Sequence, residues 1–375
     1  MRFFPASFVF RVLLTVAAAL VAGVPAFCQK PPEEEKPQVR EFAPEAPDYI
    51  KAETAKLAYL AVPLEDRGLL SRQVEESMKN LRRLLRKRKL LRITAWVGGA
   101  GDARRVSSNI RELLGKWRMP IPAIRVIRVG ALPNRTARVA FDVEVEEQDA
   151  VNPHGLVFLS GVRAAGSEFH FNLGEEFGQS LNVLSARLAE EGAKDEDVLL
   201  ARCFVSLTED LPALELQLRK RYPNGNIRLL QSVRSSPDSY ANCDLMARLP
   251  AAPAEPLEAR VITPDESAPP ITSLLKTNAR TLVLSSAQLG FRATDADLAL
   301  AFERLEATLT AAGSSLANAA QLSILSESAD VGRRTEEQGR KYLNKKHDPA
   351  ILRVTVEGLP ALDATVSLDA IAVIR

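Results

Sequence analysis

Apolar side chains recur three or four residues apart in three separate stretches of the chain. Leu70, Val74, Met78, Leu81 and Leu85 form the first set; Phe177, Leu181, Leu184 and Leu188 the second; Leu298, Phe302, Leu305 and Leu309 the third. Each spacing lays one stripe along an otherwise polar helix, so three amphipathic helices are predicted. Each leads into a short apolar strand and then an Asp: Ala95-Trp96-Val97 to Asp102, Cys203-Phe204-Val205 to Asp210, Ser323-Ile324-Leu325 to Asp330. The strand-to-Asp interval is the same all three times. A second helix follows, carrying Val106, Ile110, Leu113 and Trp117 in the first stretch and Leu211, Leu214, Leu218 and Tyr222 in the second.

Two strands close each stretch. The first copy reads PAIRVIRVGALP from Pro122 to Pro133, and the third reads PAILRVTVEGLP from Pro349 to Pro360. Final strands are predicted at Val139 to Val145, Cys243 to Leu249 and Val366 to Ile374. The repeat is therefore a β-β-α-β-α-β-β unit, of α/β class in the mixed α+β sense, with two helices on one face of a sheet. The units are expected at 50–148, 149–250 and 273–375. A Pro/Glu-rich linker at 29–49 precedes them, and a Pro-rich linker at 251–272 separates the second from the third. A unit of about 95 residues is near the small end of independently stable domains, and the helix-free face of its sheet needs cover. Three copies in one chain predict a monomer with internal pseudo-threefold symmetry.

Composition narrows the setting. The 375 residues are 46% hydrophobic and 26% charged, the balance of a folded globular chain. At the start, Arg2 and Arg11 precede the apolar run Val12 to Val24, followed by Val24-Pro25-Ala26. That is a signal peptide over 1–28, cut between Ala26 and Gln29, because the run is short for a spanning helix. The mature chain is expected in the periplasm or secreted, with no membrane contact after cleavage. Phe27 is too bulky for lipoprotein processing at Cys28. The other cysteines, Cys203 and Cys243, lie in apolar strand patterns and read as core thiols rather than a functional pair.

A net charge of +2 gives no basic excess, so no nucleic-acid partner is expected. The basic stretch Leu81 to Arg92 reads as a solvated helix end whose cations complement the helix dipole. His154, His170 and His347 have no metal-ligand spacing, and no phosphate-binding glycine loop or nucleophile elbow occurs. No metal and no organic cofactor are expected.

The third copy carries LVLSSAQLG from Leu282 to Gly290 and AFERLEATLTAAGSSLANAAQLSIL from Ala301 to Leu325, then PAILRVTVEGLP and ATVSLDAIAV. It resembles the Rid (YjgF) family from end to end, and the other copies resemble it through the repeat. The resemblance spans Leu57 to Arg375 apart from the second linker. It implies a Rid/chorismate-mutase-like fold, here three tandem domains forming a single-chain pseudotrimer. It also implies clefts between neighbouring units that hydrolyse 2-imino or enamine acids to 2-oxo acids and ammonia. In catalytic members an Arg after the Pro-Ala pair binds the substrate carboxylate through its planar fork. A Glu on the final strand positions water or moves a proton, and a Ser-Gly turn lines the wall.

In the first copy the Arg, Ser and Glu positions become Ile124, Ala61 and Ala140. In the third they become Ile351, Ser286 and Ser367, with Arg353 two residues along the same strand. In the second copy, counting back from Ser236-Pro237 places Arg228 at the carboxylate-binding position. Counting forward places Asp244 at the Glu position, and Ser160-Gly161 supplies the turn, with Val162 where the family has Gln. No Pro-Ala anchors that count, so a slip of one residue undoes it. Two readings stay open. One is an imine or enamine deaminase with at most one competent cleft, in which Asp244 is catalytic and Arg228, Ser160 and Gly161 bind a small 2-imino or 2-oxo acid. The other is a non-catalytic small-carboxylate-binding or protein-interaction scaffold, favoured by the loss of polar groups from two clefts. RNA cleavage, attributed to some family members, is a weaker third; export and the near-neutral charge speak against it.

Overall fold

A computed structural model describes residues 44–99, 102–161, 173–206, 210–233, 241–260, 273–344 and 348–375. The predicted signal segment, Cys28, most of both linkers, Val162, His170, His347 and Ser236-Pro237 lie outside the described residues.

The first unit contains β1 (Tyr49–Glu53), β2 (Leu57–Ala61), α1 (Leu70–Leu85), β3 (Lys89–Gly98), α2 (Arg104–Lys116), β4 (Ala123–Val129) and β5 (Val139–Glu146). The second contains β6 (Leu156–Ser160), α3 (Leu173–Glu190), β7 (Val198–Val205), α4 (Leu211–Arg221), β8 (Asn226–Gln231) and β9 (Ala241–Arg248). Then come β10 (Leu257–Arg260), β11 (Ser273–Thr277), β12 (Thr281–Ser285), β13 (Gln288–Phe291), α5 (Asp295–Ala311), β14 (Ala319–Ser326), α6 (Ala329–Gly339), β15 (Ala350–Thr355) and β16 (Ala364–Ile374). The predicted helix stripes are the buried faces. Val74, Met78, Leu81, Leu85, Phe177, Leu181, Leu184, Leu188, Leu298, Phe302, Leu305 and Leu309 are all buried, each set against its own sheet.

Each sheet has the same centre. A parallel pair is formed across the second helix, β3 with β4, β7 with β8 and β14 with β15, and the final strand runs antiparallel beside it. The edges differ from the expected division of the chain. The first strand, β1, pairs with β12 of the third unit, and β11, expected to open the third unit, pairs with β6 of the second. β10 lies inside the expected linker and extends the second sheet through β11. The sheet orders are β2-β5-β3-β4, then β10-β11-β6-β9-β7-β8, then β1-β12-β16-β14-β15, with β13 also on β16. A strand's exposed edge is satisfied equally well by a neighbouring unit, and local sequence does not say which.

The helix-free faces turn toward one another. Two apolar layers drawn from all three units fill this space. One contains Leu57, Phe158 and Leu284; the other Trp96, Phe204 and Leu325. The ends of β4, β8 and β15 also join. Gly130 N–H donates to Gln231 O at 2.9 Å, and Arg128 N–H to Gly358 O at 2.9 Å. A Cβ on Gly130 would lie 2.7 Å from Gln231 Oε1, so a larger residue there would push the Gln231 side chain aside.

Cys203 and Cys243 face each other across β7 and β9, Cα atoms 4.1 Å apart, and form a disulfide. The expectation of two free thiols is corrected. Both sulfurs are buried in the second unit's helix-facing core, as the apolar pattern required. Alternation alone does not reveal that the two residues share a rung.

Candidate functional site

Strand pairing fixes which residues of the three units correspond. Thr94 stands opposite Asp142 and Arg125, Arg202 opposite Asp244 and Arg228, and Ser323 opposite Asp369 and Leu352. Arg228 is thus the counterpart of Arg125 and Leu352, one residue beyond the expected position. The counterpart of Ile124 and Ile351 is Ile227, opposite Ala201 as they are opposite Ile93 and Leu322. Asp244 corresponds to Asp142 and Asp369, and Asn242 to Ala140 and Ser367. The expected register of the second copy is corrected accordingly. The cause is length: seventeen residues separate Arg125 from Asp142 and Leu352 from Asp369, but sixteen separate Arg228 from Asp244. A one-residue shift moves a side chain to the other face of the sheet. Ile227 and Ile351 belong to helix-facing cores and Ile124 packs against one, whereas Arg228 points into the space between sheets.

Arg228 and Asp244 do join one network, between the two apolar layers. Arg228 Nε donates to Asp142 Oδ1 at 2.8 Å and its Nη2 to Phe141 O at 2.8 Å. Asp244 accepts from Arg202 Nε at 2.9 Å and Nη2 at 2.6 Å, and from Gln321 Nε2 at 3.1 Å. Arg202 also approaches Asp142 at 3.6 Å and lies over the Trp96 ring, whose Nε1 donates to Asp142 Oδ2 at 2.6 Å. Arg92 pairs with Glu144 at 2.8 Å and with Asp369 at 3.5 Å, and Arg125 pairs with Asp369 and donates to Thr94 Oγ1. Arg228 is 4% exposed and Asp244 0%. The fork expected to hold a substrate carboxylate therefore holds Asp142, and the acid expected to move a proton holds Arg202.

The electrostatics follow from that packing. Burial by itself would raise the Asp142 carboxyl, but Arg228 and Arg202 beside it hold it below the usual carboxylate range. Burial pulls the Arg125 guanidinium down, with Asp369 acting against this. Among the described residues the buried charged side chains are Arg92, Arg125, Arg202 and Arg228 with Asp142, Glu144, Asp244 and Asp369, so the interior is neutral.

The other expected groups are placed nearby. Ser160 is buried opposite Asp244, as Ala61 is opposite Asp142, so the Ser position agrees with the expected alignment. Gly161 follows at φ +90°, a turn that favours glycine, and its N–H donates to Cys243 O at 3.1 Å. In the third unit Ser286 Oγ donates to Pro47 O at 2.6 Å, so the chain just ahead of β1 covers that turn. Arg353 pairs with Glu336 at 2.8 Å. The basic stretch divides: Arg82, Arg83, Arg86 and Lys87 are exposed, Arg88 pairs with Glu147, and Arg92 is buried in the centre.

A cleft of about 340 Å³ lies between the first and second units, lined by Gly98, Gly99, Gly130, Arg135, Arg138 and Leu211 among others. Among the described residues its lining holds two arginines and no acid. Neither guanidinium has an ion-pair partner among the described residues. Buried Gln73 of α1 fixes the segment that presents them: its amide donates to Thr136 O at 3.0 Å and accepts Arg138 N–H at 2.6 Å. Gly99, at φ +69°, leaves room beside the Arg138 guanidinium. Sequence reasoning missed this cleft, because its residues come from two units and carry no motif. It did have a signal for the central register: Asp142, Asp244 and Asp369 stand at one position of three similar final strands.

No protein-family model matches the chain, and no curated protein matches it. Solved structures do. RidA from the Antarctic bacterium Psychrobacter sp. is 26% identical over 25% of this chain and 80% of its own, with a TM-score of 0.23. A putative endoribonuclease from Thermotoga maritima is 25% identical over the same shares, TM-score 0.23. A member of the YjgF/YER057c/UK114 family from Mycobacterium tuberculosis is 26% identical over 24% of this chain and 78% of its own, TM-score 0.23. Each match spans about a quarter of this chain, and over that share the chain is similar to these proteins of the RidA/YjgF family.

Proposed function

We propose that this RidA-like chain binds small carboxylates in the cleft between its first and second units and does not hydrolyse imines at its centre. The observation that carries this reading is the occupied fork of Arg228, which donates to Asp142 Oδ1 and Phe141 O inside a closed, neutral interior. A substrate carboxylate would have to displace Asp142 and leave it buried without its cation, at a cost of several kcal/mol. An isoleucine at the corresponding place in all three units, Ile124, Ile227 and Ile351, supports the same conclusion. In the cleft, Arg135 and Arg138 supply two unpaired cations, and the volume suits a compact ligand. The basic, apolar and small-residue order of the first residues supports export of the chain.

Thermal melts with pyruvate or 2-oxobutyrate test this, since a ligand that binds only the folded state raises Tm. The expected result is a dose-dependent rise that is lost in the Arg135→Ala/Arg138→Ala double variant. Ammonia release from an imine generated in situ by an amino-acid oxidase should match the protein-free blank. A rise that survives the double variant would remove the cleft from the proposal. Accelerated ammonia release would restore the deaminase reading.

A further inference from the structure

The eight central charges are shared unequally among the units. The first unit contributes Arg92 and Arg125 against Asp142 and Glu144, and so brings no net charge. The second contributes Arg202 and Arg228 against Asp244 alone, one cation in excess. The third contributes only Asp369. At the places where the others carry arginine it has Gln321, Ser323 and Leu352, as the strand registers show. The excesses of the second and third units cancel when the two are present in equal number, and the first unit adds none.

The contacts also have a direction. Arginines of the second unit, Arg228 and Arg202, reach Asp142 of the first. Those of the first, Arg92 and Arg125, reach Asp369 of the third. The third returns to the second with Gln321, which donates to Asp244 at 3.1 Å. Each of the three corresponding aspartates thus receives a group from one particular neighbour, and the circuit closes.

We infer that the inward sheet faces are charge-coded interfaces that fit one another in one cyclic order, and that those of the second and third units each exclude a second copy of the same unit. Three second-unit faces together would enclose three surplus guanidinium groups, and three third-unit faces three carboxylates without a cation. Uncompensated charge in a dry interior is strongly unfavourable, so assembly of second-unit faces with one another, or of third-unit faces with one another, is disfavoured. An apolar interior would bind as tightly but would not discriminate. Units of similar sequence joined in tandem face that hazard at every round of folding.

The test uses full-length chains. Asp369→Asn and Arg125→Leu each unbalance the centre by one charge, and leucine is already the third unit's residue at the Arg125 position. Each single variant should melt about 5–10 °C below wild type. The neutral double variant should regain most of that loss, whereas Arg125→Leu/Arg228→Leu, with as many changes but two charges out of balance, should fall further. If a single variant is too unstable to melt cooperatively, the two double variants still decide the point. Recovery no better in the neutral double than in the unbalanced one would overturn charge balance as the organising term.

Discussion

The central arginines and acids show what a side chain's chemistry does when its surroundings are decided elsewhere. Asp142 accepts from Trp96 of its own unit and from Arg228 of the second, and lies near Arg202. Asp142→Asn should destabilise the chain by about 3–5 kcal/mol at pH 7, because Arg228 loses its counter-charge in a buried site. The pH dependence has a definite sign. The folded carboxyl titrates below its unfolded value of about 3.9, so its contribution is complete above that pH and is lost as pH falls through the folded value. Denaturant melts should therefore show the gap between wild type and Asp142→Asn narrowing below about pH 4. A gap that is constant from pH 7 to pH 3 would mean that the charge of Asp142 contributes nothing.

At the scale of elements, β7 and β9 hold both sides of the second unit together. Their outer face carries the disulfide, and the adjacent rung, Arg202 opposite Asp244, faces the centre. The cross-link joins residues 40 apart in sequence, and closing a loop of that length in the unfolded chain is worth about 4 kcal/mol in the chain-entropy model. Cys203→Ser should accordingly lower stability by about 2–4 kcal/mol, and a reductant should lower the Tm of wild type but not of the variant. Equal sensitivity of the two proteins would show that the bond is not formed in solution. The helices needed no such information. The stripe from Val74 to Leu85 identifies its own buried face, because a period of 3.6 residues places those side chains on one side whatever lies opposite. Strand edges carry no such mark, which is why β1 and β11 read as parts of their own units yet complete the sheets of their neighbours.

For the whole molecule, three helix-free sheet faces close on two apolar layers and a neutral charged layer between them. Among the described residues no helix-free sheet face is left uncovered. Light scattering should give the mass of one chain at micromolar concentration, and a stable trimer would contradict the closed arrangement.

The sequence by itself determined the repeat, the helices and the central strands of each unit, the face that each helix buries and the likeness to Rid proteins. These rest on local periodicity and on near-identical stretches such as PAIRVIRVGALP and PAILRVTVEGLP, which survive without knowledge of distant contacts. Tertiary structure alone decided the rest. It set the register of β8, because one missing residue between Arg228 and Asp244 reverses which side chains face inward. It joined Cys203 to Cys243, which share a rung only once β7 and β9 pair. It also turned Arg228 from a ligand-binding group into the partner of Asp142, since a guanidinium takes whichever carboxylate is fixed beside it, and the fold placed one there from another unit.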